Sequence, residues 1–249
     1  MSWLNPWSSK TPSPPINAAS APVAASVAPP IAAVVVPQAS NSILTPEALA
    51  LILEFEIGGG ENYYDRFLIH PELPGGDSGI TVAIGYDLST VSQDKYTADW
   101  GGKIDSADFT LLQGAVAISR SDSEDYFPKV KSVSIDYQTA LEVFQDCDVH
   151  EVLDQCISAF PGFQQLSPNC QGALISLVFN RGARTTPRYN GDTSRVEMLN
   201  IKNLVPNQDY TGIASQIRHM ERLWIGTDIA DGMTRRREAE AQLVLSCVS

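Results

Sequence analysis

The sequence predicts an α+β protein: mainly helical, with a small β-hairpin lobe, and with a Pro/Ala-rich segment ahead of it. Three observations carry this. The 249-residue chain is 43% hydrophobic and 18% charged, enough apolar side chain to bury a core. One apolar helical pattern after Thr45 is followed by two short β-like runs and then by a series of helical patterns. That order suits a helical lobe joined to a small sheet. Residues 1–43 hold eight of the sixteen prolines and a single charged residue, Lys10.

The proline-rich stretch sets the first boundary, with a linker or delivery segment over 1–43 and a globular domain over 44–249. Proline fixes φ and removes a backbone donor, so neither helix nor ladder runs through it. A disordered, extended, polyproline-like segment is expected. Trp3, Leu4 and Trp7 are an accidental apolar tip or a docking peptide for a carrier or partner surface. The start "MSWLNPWSSK" lacks the basic and apolar regions of a signal peptide. The chain is therefore expected to be made in the cytoplasm and to leave it by another route. No apolar run approaches the roughly 18 residues of a membrane span.

The first helix begins at Thr45-Pro46-Glu47, which supplies a hydroxyl cap, proline at the first helical position and an acid in the first turn. Leu44, Ala48, Leu51, Ile52 and Phe55 follow at helical spacing. Gly58-Gly59-Gly60 ends it. The runs "NYYDRFLIH" and "ITVAIGYDL" read as strands, with Pro71, Pro74, Gly75 and Gly76 marking the turn between them. Helices are expected over 105–118, 135–146, 148–159, 168–181, 194–204, 211–224 and 234–246. "QGALISLVFN" is apolar nearly all round, which marks the central buried helix.

Charge excludes one function class. The net charge of -12 disfavours nucleic-acid binding, which needs clustered Lys and Arg against phosphate. The charge is uneven: residues 44–160 hold 6 Lys and Arg against 21 Asp and Glu, and residues 161–249 hold 10 against 8. Cys147, Cys156, Cys170 and Cys247 form no C-x-x-C pair, and only His70, His150 and His219 are present. No metal site and no cofactor are expected.

The candidate chemistry sits at the end of the first helix and on the second strand. Glu56 closes an apolar helix beside a glycine turn, where partial desolvation suits a general acid. Thr81 and Asp87 are six apart, so a regular strand puts both on one face. A hydroxyl and a carboxylate there can hold and deprotonate a water. Two carboxyls flanking one sugar bond are what glycoside hydrolysis requires. The same residues also fit solvated or capping roles.

"LEFEIGGG", "SGITVAIGYDLS", "ALISLVFNRGAR" and "MERLWIGTDIADGMTRRREAEAQLV" together resemble the phage-lysozyme-like muramidases, above all the pesticin-type lysozyme domain. The resemblance covers about residues 44–249. It implies a lysozyme-like fold and cleavage of the β-1,4 bond between N-acetylmuramic acid and N-acetylglucosamine in peptidoglycan. Glu56 matches the family's acid, Thr81 its threonine, and Asp87 the aspartate six positions later. Asp77 is the runner-up for the second carboxylate, with Glu54 and Glu61 runners-up for the acid. The implied mechanism has Glu56 protonating the leaving oxygen while Thr81 and Asp87 hold the attacking water, with inversion.

Tyr86 is expected to line the cleft. Asn180 and Arg181 fit either a lobe fastening or a substrate contact. Of Arg235, Arg236, Arg237 and Glu238, one or two are expected to pair with acids of the other lobe. Two rivals stand beside this reading: a cysteine peptidase using Cys170 and His219 on wall peptides, and a non-catalytic wall-binding module. A muramidase without a leader implies an antibacterial type VI effector, a phage lysin or a bacteriocin, acting in the periplasm or cell wall of a target bacterium. An effector of that kind implies an immunity protein that occludes the cleft and a secretion-machine carrier that binds the N-terminal segment.

Overall fold

A computed structural model describes residues 43–58, 60–74 and 78–248 of the chain. The expectations for the Pro/Ala-rich segment and for Asp77 lie outside the described residues. Within them the protein is mainly helical with one small antiparallel sheet.

The first helix, α1 (Pro46–Ile57), starts and stops as its sequence dictates. The Thr45 hydroxyl accepts from the Ala48 amide at 3.2 Å. Gly58 then turns left-handed, with φ 66, and its amide donates to the Glu54 carbonyl. A left-handed residue is cheap only for glycine. α1 lies against α8 (Pro168–Arg181), the expected central helix, which buries Cys170 and every residue from Gly172 to Val178. The approach is close because Gly172 has no side chain: a Cβ there would collide with the Ala48 Cβ. α11 (Ala230–Leu245) packs on both α1 and α8, and α10 (Tyr210–His219) packs on α11. α9 (Val196–Leu204) in turn lies on α10.

The run "NYYDRFLIH" is not a strand. It forms α2 (Glu61–Phe67). Tyr64 within it and Leu68, which caps its end, are buried, at 0% and 5% exposure, and they lie four apart. That is a helical spacing, and the adjacent aromatics Tyr63 and Tyr64 mask it. The Tyr64 hydroxyl donates to the Ile135 carbonyl at 3.0 Å.

The second run is two strands rather than one. β1 (Thr81–Val82) and β2 (Tyr86–Asp87) pair antiparallel, with Thr81 opposite Asp87 and Val82 opposite Tyr86. The tight loop Ala83–Gly85 between them carries φ 52 at Ala83 and φ 80 at Gly85. Short hairpin loops commonly place a left-handed residue before the return strand. On its other side Thr81 bridges Glu72, with both amide-to-carbonyl bonds at 2.8 Å.

Two helices escape the sequence pattern: α3 (Gln93–Trp100) and α5 (Arg120–Val130). Both are mostly polar, so apolar periodicity is faint. Their starts are set by Ser92 and Ser119, whose hydroxyls accept from Lys95 and Asp122 amides, as capping side chains do. α4 (Ser106–Gln113) is shorter than expected. α6 (Tyr137–Val143) and α7 (His150–Ala159) are not separate helices, because a π-helical stretch, Phe144–Val149, joins them.

Candidate functional site

Glu56 sits in the last turn of α1, with its side chain 10% exposed. Arg236 of α11 reaches it, with Nη1 at 2.8 Å from Oε1. Arg236 is itself buried, and its Nε lies 3.2 Å from Oε1 of Glu240. Its Nη2 donates to the Ser176 carbonyl at 3.0 Å, and the Ser176 hydroxyl donates to Glu240 Oε1 at 2.7 Å. Arg237 Nη1 lies 3.0 Å from Glu240 Oε2. Arg237 Nη2 donates to Asn180 Oδ1 at 2.6 Å. The last helix thus places two arginines and a glutamate, buried to 3%, 1% and 0% exposure, behind the acid of the first.

Burial alone would depress Arg236, but Glu56 and Glu240 outweigh it and hold the guanidinium above the usual arginine range. Arg237 is pushed down to about 10, chiefly by burial, with Arg236 and Arg181 adding and Glu240 and Glu56 opposing. Breaking a buried pair strands an uncompensated charge, which costs more than a surface pair contributes. Of the run Arg235–Glu238, then, Arg236 pairs with the acid of the first helix and Arg237 with one on its own helix. Glu238 pairs with Arg218 of α10 at 2.6 Å, and Arg235 is exposed.

Thr81 and Asp87 come together by a different route from the one expected. They are not six apart along one strand; they face each other across the hairpin. Directly opposed residues project from the same side of a sheet. Asp87 is held by its neighbours. Oδ1 accepts from the Ser89 amide at 2.9 Å and the Ser89 hydroxyl at 2.7 Å, and Oδ2 accepts from the Gly79 amide at 3.3 Å. The Thr81 hydroxyl donates to the Gly79 carbonyl at 3.4 Å.

One residue of this row was not anticipated. Glu72 bridges Thr81 from the other side, so Glu72, Thr81 and Asp87 form a row of carboxylate, hydroxyl and carboxylate. Proline at 71 and 74 marks a turn in the sequence, and that signal hides a single bridging residue between them.

Tyr86 is a core residue, 4% exposed, rather than part of an open cleft. Alternation along β2 puts it on the face opposite Asp87. Its hydroxyl donates to Asp99 Oδ2 at 2.7 Å, and its ring meets Trp100 edge-on at 5.5 Å. Asn180 and Arg181 fasten the end of α8. Arg181 Nη2 donates to the Ser194 carbonyl at 2.6 Å, and its guanidinium lies 5.2 Å over Trp224. Arg237 also covers Trp224, at 5.6 Å. Glu54 and Glu61, the other candidate acids, are exposed.

The four cysteines are unpaired. Cys170 is fully buried, and its thiol is pushed up to about 12 by burial, with Cys247 adding. A nucleophilic cysteine needs the opposite environment, partly exposed and electropositive. His219 ends α10, and no hydrogen bond joins it to Cys170 among the described residues. No group of three His, Cys, Asp or Glu side chains among them is placed to hold a metal ion. No helix among them is long and apolar enough to cross a membrane. No protein-family model and no curated protein matches the chain. Fold and geometry together define a helical α+β protein with a buried arginine–carboxylate network behind one acid and a carboxylate–hydroxyl row on its hairpin.

Proposed function

We propose that the chain is a peptidoglycan hydrolase with a lysozyme-like fold, cutting the β-1,4 bond between N-acetylmuramic acid and N-acetylglucosamine. The observation that carries the reading is the hairpin register that sets Thr81 against Asp87. It gives a hydroxyl and a carboxylate a shared hold on one water. The acid is assigned to Glu56, whose position a buried arginine fixes. Arg236 engages Oε1 of that carboxyl.

Glu56 gives its proton to the glycosidic oxygen as the bond from the muramic C1 breaks. The water held by Thr81 and Asp87 attacks C1 from the opposite side and passes its proton to Asp87. Solvent then returns a proton to Glu56 and takes one from Asp87. Positive charge on the ring in the transition state is stabilised by the Asp87 carboxylate. Direct attack of this kind inverts configuration. Peptidoglycan reaches such an enzyme after delivery as an antibacterial effector or release as a phage lysin. An effector's immunity protein would be drawn to the acidic half of the chain.

Digestion of purified peptidoglycan by the wild type and by Glu56→Gln tests this. Muropeptides with intact stems and muramitol ends after borohydride reduction are expected from the wild type. Glu56→Gln should lose about 10²–10⁴-fold or more in rate. Cut stems from both proteins would overturn the glycosidase reading. Glycan bound but never cut by the wild type would favour a wall-binding module.

A further inference from the structure

Positive charge gathers just after α8. Arg181 is pushed down to about 10 by burial and by Arg195, Arg222 and Arg184, while Glu197 opposes. Arg195 is lowered by burial and by Arg184 and Arg188, with Asp192 opposing. Glu197 is taken by Arg222 at 2.5 Å, and Asp192 lies 4.0 Å from Arg184. Five arginines against two carboxylates leave three positive charges uncompensated within the cluster. Arg195 is 8% exposed, and its Nε has no hydrogen-bond partner among the described residues.

An open groove of about 630 Å³ adjoins this cluster. The turn after α8 contributes Arg184, Thr185 and Thr186, and α9 contributes Lys202. α7 contributes Glu151 and Asp154. The bases and the acids therefore come from different elements. Asp154 and Lys202 line the same groove, yet neither has an ion-pair partner among the described residues. Glu151 has Lys95 alone among the described residues, at 3.9 Å.

A groove whose two signs of charge stay apart favours a ligand that carries both. A purely anionic ligand meets α7, and a purely cationic one meets Arg184 and Lys202. The threonine hydroxyls can pair with peptide amides. The volume lies in the range of ligand sites, roughly 300–1,000 Å³. We propose that the groove formed by α7, the 183–186 turn and α9 binds a short peptide bearing a free carboxylate and a free amine, with the carboxylate toward Arg184 and Lys202 and the amine toward Glu151 and Asp154. In the wall polymer such a group is the diamino acid of a stem peptide. That naming rests on the proposed function; the zwitterionic chemistry does not.

Calorimetric titration of the full chain with L-alanyl-γ-D-glutamyl-meso-diaminopimelate tests the proposal without any turnover. The peptide should bind. Acetylating its side-chain amine or amidating its terminal carboxylate should each weaken binding about tenfold. Lys202→Ala should weaken the free peptide and leave the amidated one unaffected. Asp154→Asn should weaken the free peptide and leave the acetylated one unaffected. Lys129→Ala, an exposed lysine over Tyr126, serves as a control and should change nothing. Absence of binding at millimolar peptide, or binding that ignores Lys202→Ala and Asp154→Asn, would overturn the site. If the peptide binds as expected while wild type and Glu56→Gln both leave glycan intact, the groove stands and the hydrolase reading falls.

Discussion

The candidate acid and the hairpin pair are built in opposite ways. Asp87 is held by Gly79 and Ser89, residues eight and two positions away. Glu56 is held by Arg236, which in turn leans on Ser176 and Glu240. One is a local turn and the other is a convergence of three helices. A local turn survives small changes elsewhere. A convergence fails when any one contributor is lost, since each buried charge depends on the rest.

The largest expected effect is on the convergence. Arg236→Ala removes the guanidinium between Glu56 and Glu240 and should lower unfolding free energy by about 3–5 kcal/mol in a denaturant titration. A loss below 1 kcal/mol would break the contrast. Next comes Gly172→Ala, which forces α1 away from α8 and should cost about 1–3 kcal/mol. Ala48→Gly in the same chain should recover much of that loss, because it removes the other collision partner. Asp87→Ala should cost only about 1 kcal/mol, the usual worth of a capping side chain. A cost equal to that of Arg236→Ala would show that the hairpin is not locally built.

A separate expectation, read as a slope rather than a single loss, concerns pH and the rod that runs from Tyr137 to Ala159. Burial pushes the Asp148 carboxyl up to about 8, with Lys95 opposing and Asp99 and Glu151 adding. The unfolded value is about 3.9. Between these pH values the folded chain holds the extra proton, so stability falls as pH rises from roughly 4 toward 8. Asp148→Asn should flatten that slope in melting curves taken across the range. An unchanged slope would place the titrating group elsewhere.

What could be read in the sequence follows the same division. α8 has the predicted bounds, since eight buried residues and a proline start leave little choice. The cap and glycine stop of α1 were equally legible, and so was Glu56 at its end. Its partner was legible only as a run of basic residues, because the identity of a long-range pair depends on how three helices meet. Thr81 and Asp87 share a face, but through a hairpin whose loop includes Ala83 at positive φ. Nothing in alanine announces that conformation. Tyr86 was misplaced for the same reason: reading one straight strand gives no partner for its hydroxyl, whereas the fold supplies Asp99. Glu72 was invisible because a lone bridge has no period.

The π-helical stretch Phe144–Val149 bears on how this chain tolerates insertion and deletion. A π turn holds one residue more than the α turn it replaces. Removing one residue within it would let the rod close into continuous α-helix, with Leu141 and Cys156 still turned toward their present neighbours. Removing one residue from the middle of α7 would instead swing every later side chain by about 100°. Cys156, which meets the Leu174 carbonyl, would then point away from α8. Length variation along this rod is therefore expected at one place, six residues long, and nowhere else.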